Sequence, residues 1–480
     1  MQRDPEPDLG SALSRFCAEE CADTQFLPYG PDTASFFEDW RGRFRGRAIG
    51  VVQPGTTQDV SRIVVFCGTH AISIVPQGGN TGLCGGGVPM NDVRQVVLSM
   101  SRMNRIRATD LTNASVTVEA GCVLQAVQVH ADGLGRLFPL SFAAEGSAQI
   151  GGVLATNAGG TAVLRYGNAR ALVLGIEAVF ADGEVLHGLT GLRKDNTGYD
   201  LRDLLIGSEG TLGVITAAVL RLYPKLASRA VIMAALDSPQ NAIALLHALK
   251  GLLDDRVTAF EVFSSECLAM TVRRHSDLRD PFGRPHRWYA LIELADADVH
   301  ADLIEPVETL FASAIDAGSV LDVVVAASES QMAALWAIRE SISESQKLEG
   351  YTLKHDVSVP ISAIPAFLER IDARVLESFP GIAIAPFGHF GDGNIHLNMR
   401  PPDGASPDDT LEDPVATLVY DVVASLGGSI SAEHGIGQLK VEALERYKDP
   451  AALQVLRHIK SALDPGGIMN PGKVLRSIAA

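Results

Sequence analysis

Two histidines lie seven residues apart in the glycine-rich stretch Gly388–Asn398. The glycines of this stretch, with the polar residues between them, disfavour a helix and predict a turn followed by a strand. Side chains on a strand repeat every two residues, so His396 and Asn398 would share a face, and the turn could bring His389 beside them. Two imidazoles placed in this way suggest a divalent metal site.

A second cluster, Glu433-His434, lies in the loop Ser431–Gly437. If the two loops meet, His389, His396 and Glu433 would supply three ligands and leave a coordination position open, as catalytic sites do. Such ligands suit Zn²⁺ and would also accept Mn²⁺, Co²⁺ or Fe²⁺. The alternative is a pair of core histidines with no ligand role, which is the more common fate of a lone histidine.

Three passages rich in glycine occupy residues 76–87, 146–160 and 207–213. Consecutive backbone N–H groups in such a loop form a concave nest that suits a pyrophosphate, whereas the alternative is a flexible surface loop. Three passages together favour a large dinucleotide-like ligand, because the backbone must approach it closely at several places. None is a Gly-x-Gly-x-x-Gly motif that opens a helix, so a Rossmann NAD site is not supported.

The composition excludes several classes of function. The net charge is −17 over 480 residues and no basic run is present, which argues against nucleic acid and anionic membrane as partners. No stretch predicts a membrane span, and the acidic, proline-broken start predicts no signal peptide, so we expect a cytoplasmic protein. The scattered cysteines predict neither disulfides nor a zinc ribbon. They are Cys17, Cys21, Cys67, Cys84, Cys122 and Cys267.

Two kinds of fold are expected along the chain. Residues 11–40 are predicted to be helical, and residues 48–75 to form a βαβ unit. A hairpin that turns at Asp182-Gly183 would close the first half. From Arg229 onward the predicted order is β-α-β-β-α-β, a ferredoxin-like unit, followed by long helices that include residues 329–348.

Four segments resemble the FAD domain of the vanillyl-alcohol oxidase/p-cresol methylhydroxylase flavoproteins, and in particular their D-2-hydroxyacid dehydrogenase branch. They are Pro76–Gly82, Ile150–Gly160, Arg193–Leu201 and Gly207–Gly213. The resemblance implies an α+β fold with a two-part FAD-binding domain of the p-cresol methylhydroxylase type, a ferredoxin-like substrate domain and a helical C-terminal segment. It also implies four regions: an N-terminal helical segment (1–45), the FAD domain (46–225), a substrate domain with the metal (226–425) and a C-terminal segment completing the active site (426–480).

The resemblance implies FAD as the cofactor. Many members of the superfamily tether the flavin through a histidine in the first glycine-rich loop, and this loop has none, so non-covalent FAD is expected. The implied FAD contacts are Pro76, Gly78, Gly79, Asn80, Thr81, Gly82, Leu83, Pro139, Leu140, Gly146, Ser147, Gly151, Gly152, Ala155, Thr156, Asn157, Gly210, Gly213, Ile215 and Asn470.

The resemblance assigns the metal to the same three positions, His389, His396 and Glu433. It assigns substrate contacts to four further residues, although spacing alone would make the two cations among them surface charges. These residues are Arg339, Ser343, Lys354 and Asn398. On a predicted helix, Arg339 and Ser343 would share a face. An arginine suits a bidentate grip on a carboxylate, which favours a dicarboxylate substrate.

Oxidation of a 2-hydroxyacid requires a base that takes the hydroxyl proton as the hydride leaves. His434 is the candidate, the alternative being an exposed loop histidine. Adjacent residues on a regular strand point to opposite faces, so Glu433 and His434 can serve one site only if the backbone turns there. Gly435 and Gly437 allow that turn.

The resemblance is greatest to enzymes that oxidise D-2-hydroxyglutarate to 2-oxoglutarate, and this is the expected activity. Oxidation of D-lactate, or the role of a glycolate oxidase subunit, is the alternative within the class. A flavin- or metal-binding protein without turnover is the alternative from another class. The expected partners are a small 2-hydroxy(di)acid, an electron acceptor such as an electron-transfer flavoprotein or a quinone, and a second copy of the chain in a homodimer.

Overall fold

The computed structural model describes residues 9–91, 94–402 and 409–477. The first eight residues of the predicted N-terminal segment, and residues 478–480 of the predicted C-terminal segment, lie outside the described residues. No helix in the described ranges combines the length and the apolar character that a membrane crossing requires.

The α-helices of the described chain are bounded as follows. They are α1 (Leu9–Glu20), α2 (Thr57–Thr69), α3 (Leu124–Gly133), α4 (Ile150–Ala155), α5 (Val163–Tyr166), α6 (Leu201–Leu205), α7 (Pro239–Leu253), α8 (Ser265–Arg274), α9 (Glu305–Asp316), α10 (Glu329–Glu340), α11 (Ile342–Leu348), α12 (Ile364–Ser378), α13 (Asp409–Ser425), α14 (Val441–Tyr447) and α15 (Pro450–Leu463).

The strands have these bounds. They are β1 (Thr24–Pro28), β2 (Gly50–Pro54), β3 (Ser73–Gln77), β4 (Gln95–Ser99), β5 (Ile106–Asp110), β6 (Ser115–Glu119), β7 (Arg136–Leu137), β8 (Val173–Val179), β9 (Val185–Gly188), β10 (Val214–Arg221), β11 (Tyr223–Pro224), β12 (Ser228–Leu236), β13 (Val257–Ser264), β14 (Trp288–Asp296), β15 (Asp322–Val325), β16 (Leu353–Ser358), β17 (Ala383–Gly388) and β18 (Asn394–Arg400).

The chain divides into two compact units. The first unit contains the chain up to Gly159, the segment Asn168–Tyr223 and the chain from Glu433 onward. The second unit contains Gly160–Gly167 and Pro224–Ala432. The chain therefore enters the second unit briefly, at α5, before the main crossing at Pro224.

The first unit contains a four-stranded sheet in the order β1-β2-β4-β3, in which β2 and β3 run parallel to β4. The βαβ prediction is confirmed, because α2 connects β2 to β3. The helical prediction for residues 11–40 is wrong beyond Glu20, since Thr24–Pro28 is a strand antiparallel to β2. Alternation along this strand places Phe26 and Leu27 against two different core clusters, which a helix could not do.

The first unit also contains a five-stranded antiparallel sheet, in the order β5-β6-β10-β8-β9. The predicted hairpin is confirmed: β8 pairs with β9, and Gly183 has a φ of +86° in the turn between them. This left-handed conformation is the one that glycine adopts without strain.

The second unit contains a seven-stranded sheet in the order β15-β12-β14-β13-β17-β18-β16. Its first four strands have the order 4-1-3-2 in chain sequence, which confirms the ferredoxin-like prediction. The remaining three strands extend the sheet beyond β13, and they carry the histidines of Gly388–Asn398 as the predicted turn and strand.

The predicted continuous helix 329–348 is wrong, because α10 ends at Glu340 and α11 begins at Ile342. Ser341 lies between them, and its carbonyl accepts a hydrogen bond from the Ser345 hydroxyl (2.8 Å). Serine hydroxyls compete for backbone groups in this way and favour a break in the helix. Arg339 and Ser343 therefore do not share a helical face: Arg339 is buried and Ser343 is exposed.

Candidate functional site

The three glycine-rich passages converge in the first unit. A Cβ atom on Gly79 would lie 2.0 Å from the Ser147 carbonyl oxygen, so the first passage packs directly on the second. The third passage packs on the second as well, because the Glu209 N–H donates to the Ala155 carbonyl (2.8 Å). The sequence predicted three separate approaches to one ligand, and the structure brings the three passages together. We call this arrangement the cradle.

Left-handed backbone occurs at a non-glycine residue in each part of the cradle. Asn80, Asn157, Glu209 and Asn470 have φ angles of +54°, +51°, +53° and +43°. Outside glycine this conformation is uncommon, and asparagine tolerates it best. Backbone strain of this kind occurs often at ligand-binding sites, so its presence in each of the three passages and at Asn470 fits a binding role for the cradle.

Asn470 ties the C-terminal segment to the cradle. Its side-chain Nδ2 donates to the carbonyl oxygens of Gly86 (3.0 Å) and Glu209 (2.8 Å). Its Oδ1 is buried and has no hydrogen-bond partner among the described residues, as is also the case for Gln149 Oε1. Two orphaned buried acceptors, beside glycine amides and the open space at Gly82, fit the binding of a polar dinucleotide.

The predicted FAD contacts occupy the parts of the first unit that surround the cradle. Pro76 lies near the end of β3, Pro139 and Leu140 follow β7, and Ile215 belongs to β10. Asn470 lies in the C-terminal segment, and the other predicted contacts lie in the three glycine-rich passages. The passage residues are Gly78, Gly79, Asn80, Thr81, Gly82, Leu83, Gly146, Ser147, Gly151, Gly152, Ala155, Thr156, Asn157, Gly210 and Gly213. The short helix α4 within the second passage was not predicted, because its glycines obscured it.

The Glu433-His434 loop also belongs to the first unit, and a buried carboxylate anchors it. Glu209 accepts hydrogen bonds from the backbone N–H groups of Ile436 and Gly437, each at 2.7 Å. Gly435 and Gly437 have φ angles of +75° and +52°, so the predicted turn is present. This turn brings ligand atoms of Glu433 and His434 within 4.8 Å of each other.

The same loop touches the first glycine-rich passage. The Cys84 thiol donates to the Gly435 carbonyl (3.4 Å), and the Gln438 N–H donates to the Cys84 carbonyl (2.9 Å). A Cβ atom on Gly159 would lie 2.7 Å from Glu433 Oε1, so the second passage sets the space available to that carboxylate. The cradle therefore positions the loop that carries the proposed ligand and base.

Glu209 shares its buried environment with Lys473. Burial raises the pKa of Glu209, although the N–H groups of Ile436 and Gly437 oppose the shift. Burial lowers the pKa of Lys473 to about 8, and Glu209 opposes that shift. The sequence analysis did not identify Glu209 as a functional candidate. The only signal for such a role was the presence of an acidic residue inside a glycine-rich passage.

The second unit places its polar residues on one face of the extended sheet. Asp356 of β16 lies opposite His396 of β18, and Lys354 lies opposite Asn398. Opposite residues of an antiparallel pair point to the same side, and alternate residues share a face, so all four side chains share one face. His389, in the turn after β17, joins them: its ring centroid is 5.5 Å from that of His396.

Both histidines have a carboxylate beside Nδ1. His389 Nδ1 lies 2.6 Å from Glu261 Oε1, and His396 Nδ1 lies 3.7 Å from Asp356 Oδ1. Metal-ligating histidines commonly use one ring nitrogen for a carboxylate and the other for the metal, because the carboxylate fixes the tautomer and the ring orientation. The His389–Glu261 hydrogen bond therefore fits ligation through Nε2 of His389, whereas the 3.7 Å between His396 and Asp356 is longer than a hydrogen bond.

Glu261 is the residue that sequence reasoning missed most clearly. It is 1% exposed on β13 and forms a second contact with Arg339, whose Nη2 and Nε lie 2.7 and 2.9 Å from Glu261 Oε2. Burial raises the pKa of Glu261, but His389 and Arg339 together outweigh it and hold the pKa below its ordinary value. The sequence signal that could have identified Glu261 was a charged residue within the largely apolar strand Val257–Ser264.

The predicted substrate residues have different surroundings. Arg339 contacts a single oxygen of Glu261 through Nε and Nη2 and packs over the Phe387 ring at 4.8 Å, so its observed carboxylate partner belongs to the protein. Asn398 is buried and its Nδ2 donates to Gln346 Oε1. Lys354 and Ser343 are exposed, on β16 and α11 respectively.

Two family models match the chain. The model for the C-terminal domain of FAD linked oxidases matches residues 225–474, and an FAD binding domain model matches residues 48–188. Together they reach into both units and include the first two glycine-rich passages, both histidines and Asn470, whereas the third passage lies between the two matches.

Curated relatives match nearly the whole chain. D-2-hydroxyglutarate dehydrogenase from Stutzerimonas stutzeri is 38% identical over 92% of this chain and 94% of its own length. The enzyme of that name from Xanthomonas citri pv. viticola is 37% identical over 93% of both chains. The mitochondrial enzyme of Bos taurus is 39% identical over 91% of this chain and 78% of its own.

Solved structures share the fold at low sequence identity. 4-Ethylphenol oxidase from Gulosibacter chungangensis superposes with a TM-score of 0.74 at 18% identity, covering 99% of this chain and 98% of that one. p-Cresol methylhydroxylase superposes with a TM-score of 0.72 at 17% identity, with the same coverage. These likenesses confirm the predicted p-cresol methylhydroxylase type of FAD-binding fold.

Proposed function

The chain belongs to the family of FAD-linked oxidases, and from this premise we propose that it is a metal-dependent dehydrogenase of D-2-hydroxyacids that prefers D-2-hydroxyglutarate. The observation that carries the metal dependence is the pair of imidazoles whose Nδ1 atoms face Glu261 and Asp356. Relatives named for D-2-hydroxyglutarate support the choice of substrate.

The cradle would hold FAD non-covalently, and FAD would supply the hydride acceptor when bound. The glycine amides of Gly78–Leu83 would bind the pyrophosphate, and the second passage would contact the ring system. Asn470 would offer its orphaned Oδ1 to the flavin. The packing between passages excludes side chains larger than glycine at Gly79, so the backbone itself forms the binding surface.

His389, His396 and Glu433 would hold the divalent metal, and Zn²⁺ suits this ligand set, with Mn²⁺, Co²⁺ or Fe²⁺ as alternatives. The metal, when bound, makes a substrate alkoxide accessible near neutral pH. Glu261 fixes the ring of His389, and Asp356 has the corresponding position beside His396. Asp356, beside His396, would offer a further carboxylate oxygen.

His434 would take the proton of the substrate hydroxyl at one of its ring nitrogens. The turn at Gly435, fixed by Glu209, would hold this imidazole in place. A base held in a fixed orientation accelerates proton transfer more than a mobile base does, because no free energy is needed to orient it in the transition state.

Asn398, Lys354, Ser343 and Arg339 would bind the substrate carboxylates. Lys354 lies opposite Asn398 on the polar face, so a cation and an amide can serve one oxyanion. Arg339 reaches Glu261 through Nε and Nη2, and its Nη1 forms no hydrogen bond among the described residues, which leaves that group available to a carboxylate.

The assignment of residues 46–225 to the cofactor and residues 226–425 to the substrate and metal remains a proposal. So does completion of the active site by the C-terminal segment 426–480, which includes the Glu433-His434 loop. An electron-transfer flavoprotein or quinone acceptor, a homodimer and a cytoplasmic location remain predictions.

Anaerobic reduction of the bound flavin tests the substrate. D-2-Hydroxyglutarate should bleach the flavin of the metal-loaded protein with a higher kcat/KM than D-malate, D-lactate or glycolate. A clear preference for D-lactate or glycolate would replace D-2-hydroxyglutarate by the alternative within the class. No bleaching by any of these acids would favour the non-catalytic alternative.

A further inference from the structure

The first unit has a cavity of about 390 Å³ that none of the proposed active-site residues lines. Its lining is unusually basic for a chain of net charge −17. Four arginines and one carboxylate contribute to the walls: Arg170, Arg193, Arg202, Arg221 and Asp203. The cavity also has apolar walls, including Leu174 and Leu192.

Only one of the four arginines is paired with carboxylates within the described residues. Arg202 contacts Asp200 (2.6 Å) and Asp203 (3.2 Å). Arg193 donates only to a backbone carbonyl, and Arg221 stacks on the Tyr223 ring at 4.6 Å. Guanidinium groups that share a concave site without counter-charges repel one another, and an anion would relieve this repulsion.

Arg170 adds a second observation. Its Nη2 donates to the Ile206 carbonyl (2.6 Å), while its Nε is buried and has no hydrogen-bond partner among the described residues. An orphaned buried donor on a charged group is costly, and an anion in the cavity would offset part of this cost by attracting the guanidinium.

The outer part of the cavity is well separated from the cradle. Arg221 ends β10, whereas Gly213 directly precedes the start of that strand at Val214. The eight residue steps from Gly213 to Arg221 span about 26 Å of extended strand. The inner wall approaches the cradle, since the Arg170 N–H donates to Asn157 Oδ1 (2.9 Å).

We propose that this cavity binds a small polyvalent oxyanion, with Arg170, Arg193 and Arg221 as its cationic contacts. Planar guanidinium groups bind phosphate and carboxylate oxygens in pairs, and the apolar walls leave room for a short carbon skeleton. This site does not depend on the proposed dehydrogenase activity, because it uses none of the residues assigned to that reaction.

Isothermal titration of the FAD-loaded protein with inorganic phosphate and with tricarballylate tests the proposal. Arg193→Gln/Arg221→Gln should weaken binding by about tenfold or more, since it removes two charged donors. The control Arg15→Gln/Arg374→Gln changes the net charge equally at two exposed positions outside the cavity and should bind as the wild type does. Flavin absorbance should be the same in all three proteins.

The two probes distinguish the source of the ligand. Tighter binding of phosphate would assign a phosphorylated compound to the site, and tighter binding of tricarballylate would assign a polycarboxylate. Equal binding of both probes by the two double variants, or no saturable binding by the wild type, would overturn the proposal.

Discussion

The cradle and the histidine face of the second unit are built by opposite means. The cradle consists mainly of backbone: glycine passages in mutual contact, and left-handed φ angles at Asn80, Asn157, Glu209 and Asn470. The histidine face consists of side chains on a regular sheet, with a buried Glu261 between Arg339 and His389. The first suits a large ligand that lies along the chain, and the second suits a small cation.

This difference predicts different responses to substitution. Backbone sites fail when a side chain is added, because there is no space for it. Side-chain sites fail when a charge is removed, because its buried partner is left uncompensated. Variants of each kind should therefore separate flavin binding from metal binding.

The largest effect is expected from His434→Ala. Loss of the base should slow flavin reduction by D-2-hydroxyglutarate about 10²–10⁴-fold while FAD stays bound. Stopped-flow absorbance measures the rate, and His458→Ala, at an exposed position of α15, is the control. Reduction of the His434→Ala flavin at the wild-type rate would place the base elsewhere.

Glu261→Gln should damage the histidine face and spare the cradle. Removing a carboxylate that orients a metal-ligating histidine lowers metal affinity by about 10–100-fold. Arg339 would also lose its buried partner, so the free energy of unfolding should fall by about 3–5 kcal/mol. Metal titration and urea denaturation measure the two effects.

The exposed Glu266→Gln is the matched control for Glu261→Gln. Unchanged metal affinity in Glu261→Gln would show that the His389–Glu261 contact is purely structural. Weakened FAD binding in that variant would contradict the separation of the two regions.

Gly79→Ala should damage the cradle and spare the histidine face. The new Cβ would lie 2.0 Å from the Ser147 carbonyl oxygen, so the first and second passages must move apart. Overpacking of this kind costs about 1–3 kcal/mol, and we expect it to weaken FAD binding while leaving metal affinity unchanged. Equilibrium dialysis of FAD measures the affinity. Gly133→Ala, which meets no atom within 4 Å, should bind FAD normally, and equal affinities of both variants would refute the close packing.

Glu209→Ala tests the connection between the cradle and the base. Two backbone N–H groups would lose their acceptor, at a cost of about 1–3 kcal/mol for each buried group. We expect about a tenfold fall in kcat with a smaller change in KM, because the loop carrying His434 would lose its anchor. Glu209→Gln retains one of the two acceptor oxygens and should recover part of the activity. If both variants retain wild-type kcat, Glu209 does not position the loop.

Local patterns predicted the cradle well and the histidine face only in part. Glycine spacing and hairpin turns are properties of neighbouring residues, so the passages, the βαβ unit and the turn at Gly435 followed from the sequence. Glu261 and His389 are 128 residues apart and meet only because β13 pairs with β17, a register that no local pattern encodes.

The wrong predictions have the same origin. Residues 24–28 form a strand because β2 offers a partner edge, and α10 ends before Ser343 because the chain breaks at Ser341. The Glu261–Arg339 contact likewise depends on tertiary structure: spacing alone suggested a surface charge at Arg339, and the family resemblance suggested a substrate contact.

Flavin reduction before and after removal of the metal tests the central claim most directly. The chain is loaded with FAD, treated with a chelator, and mixed anaerobically with D-2-hydroxyglutarate. The metal-free protein should retain its flavin but fail to bleach, and Zn²⁺ or another suitable divalent ion should restore bleaching. Bleaching at the full rate in verified metal-free protein would contradict the assignment of His389, His396 and Glu433 to a catalytic metal.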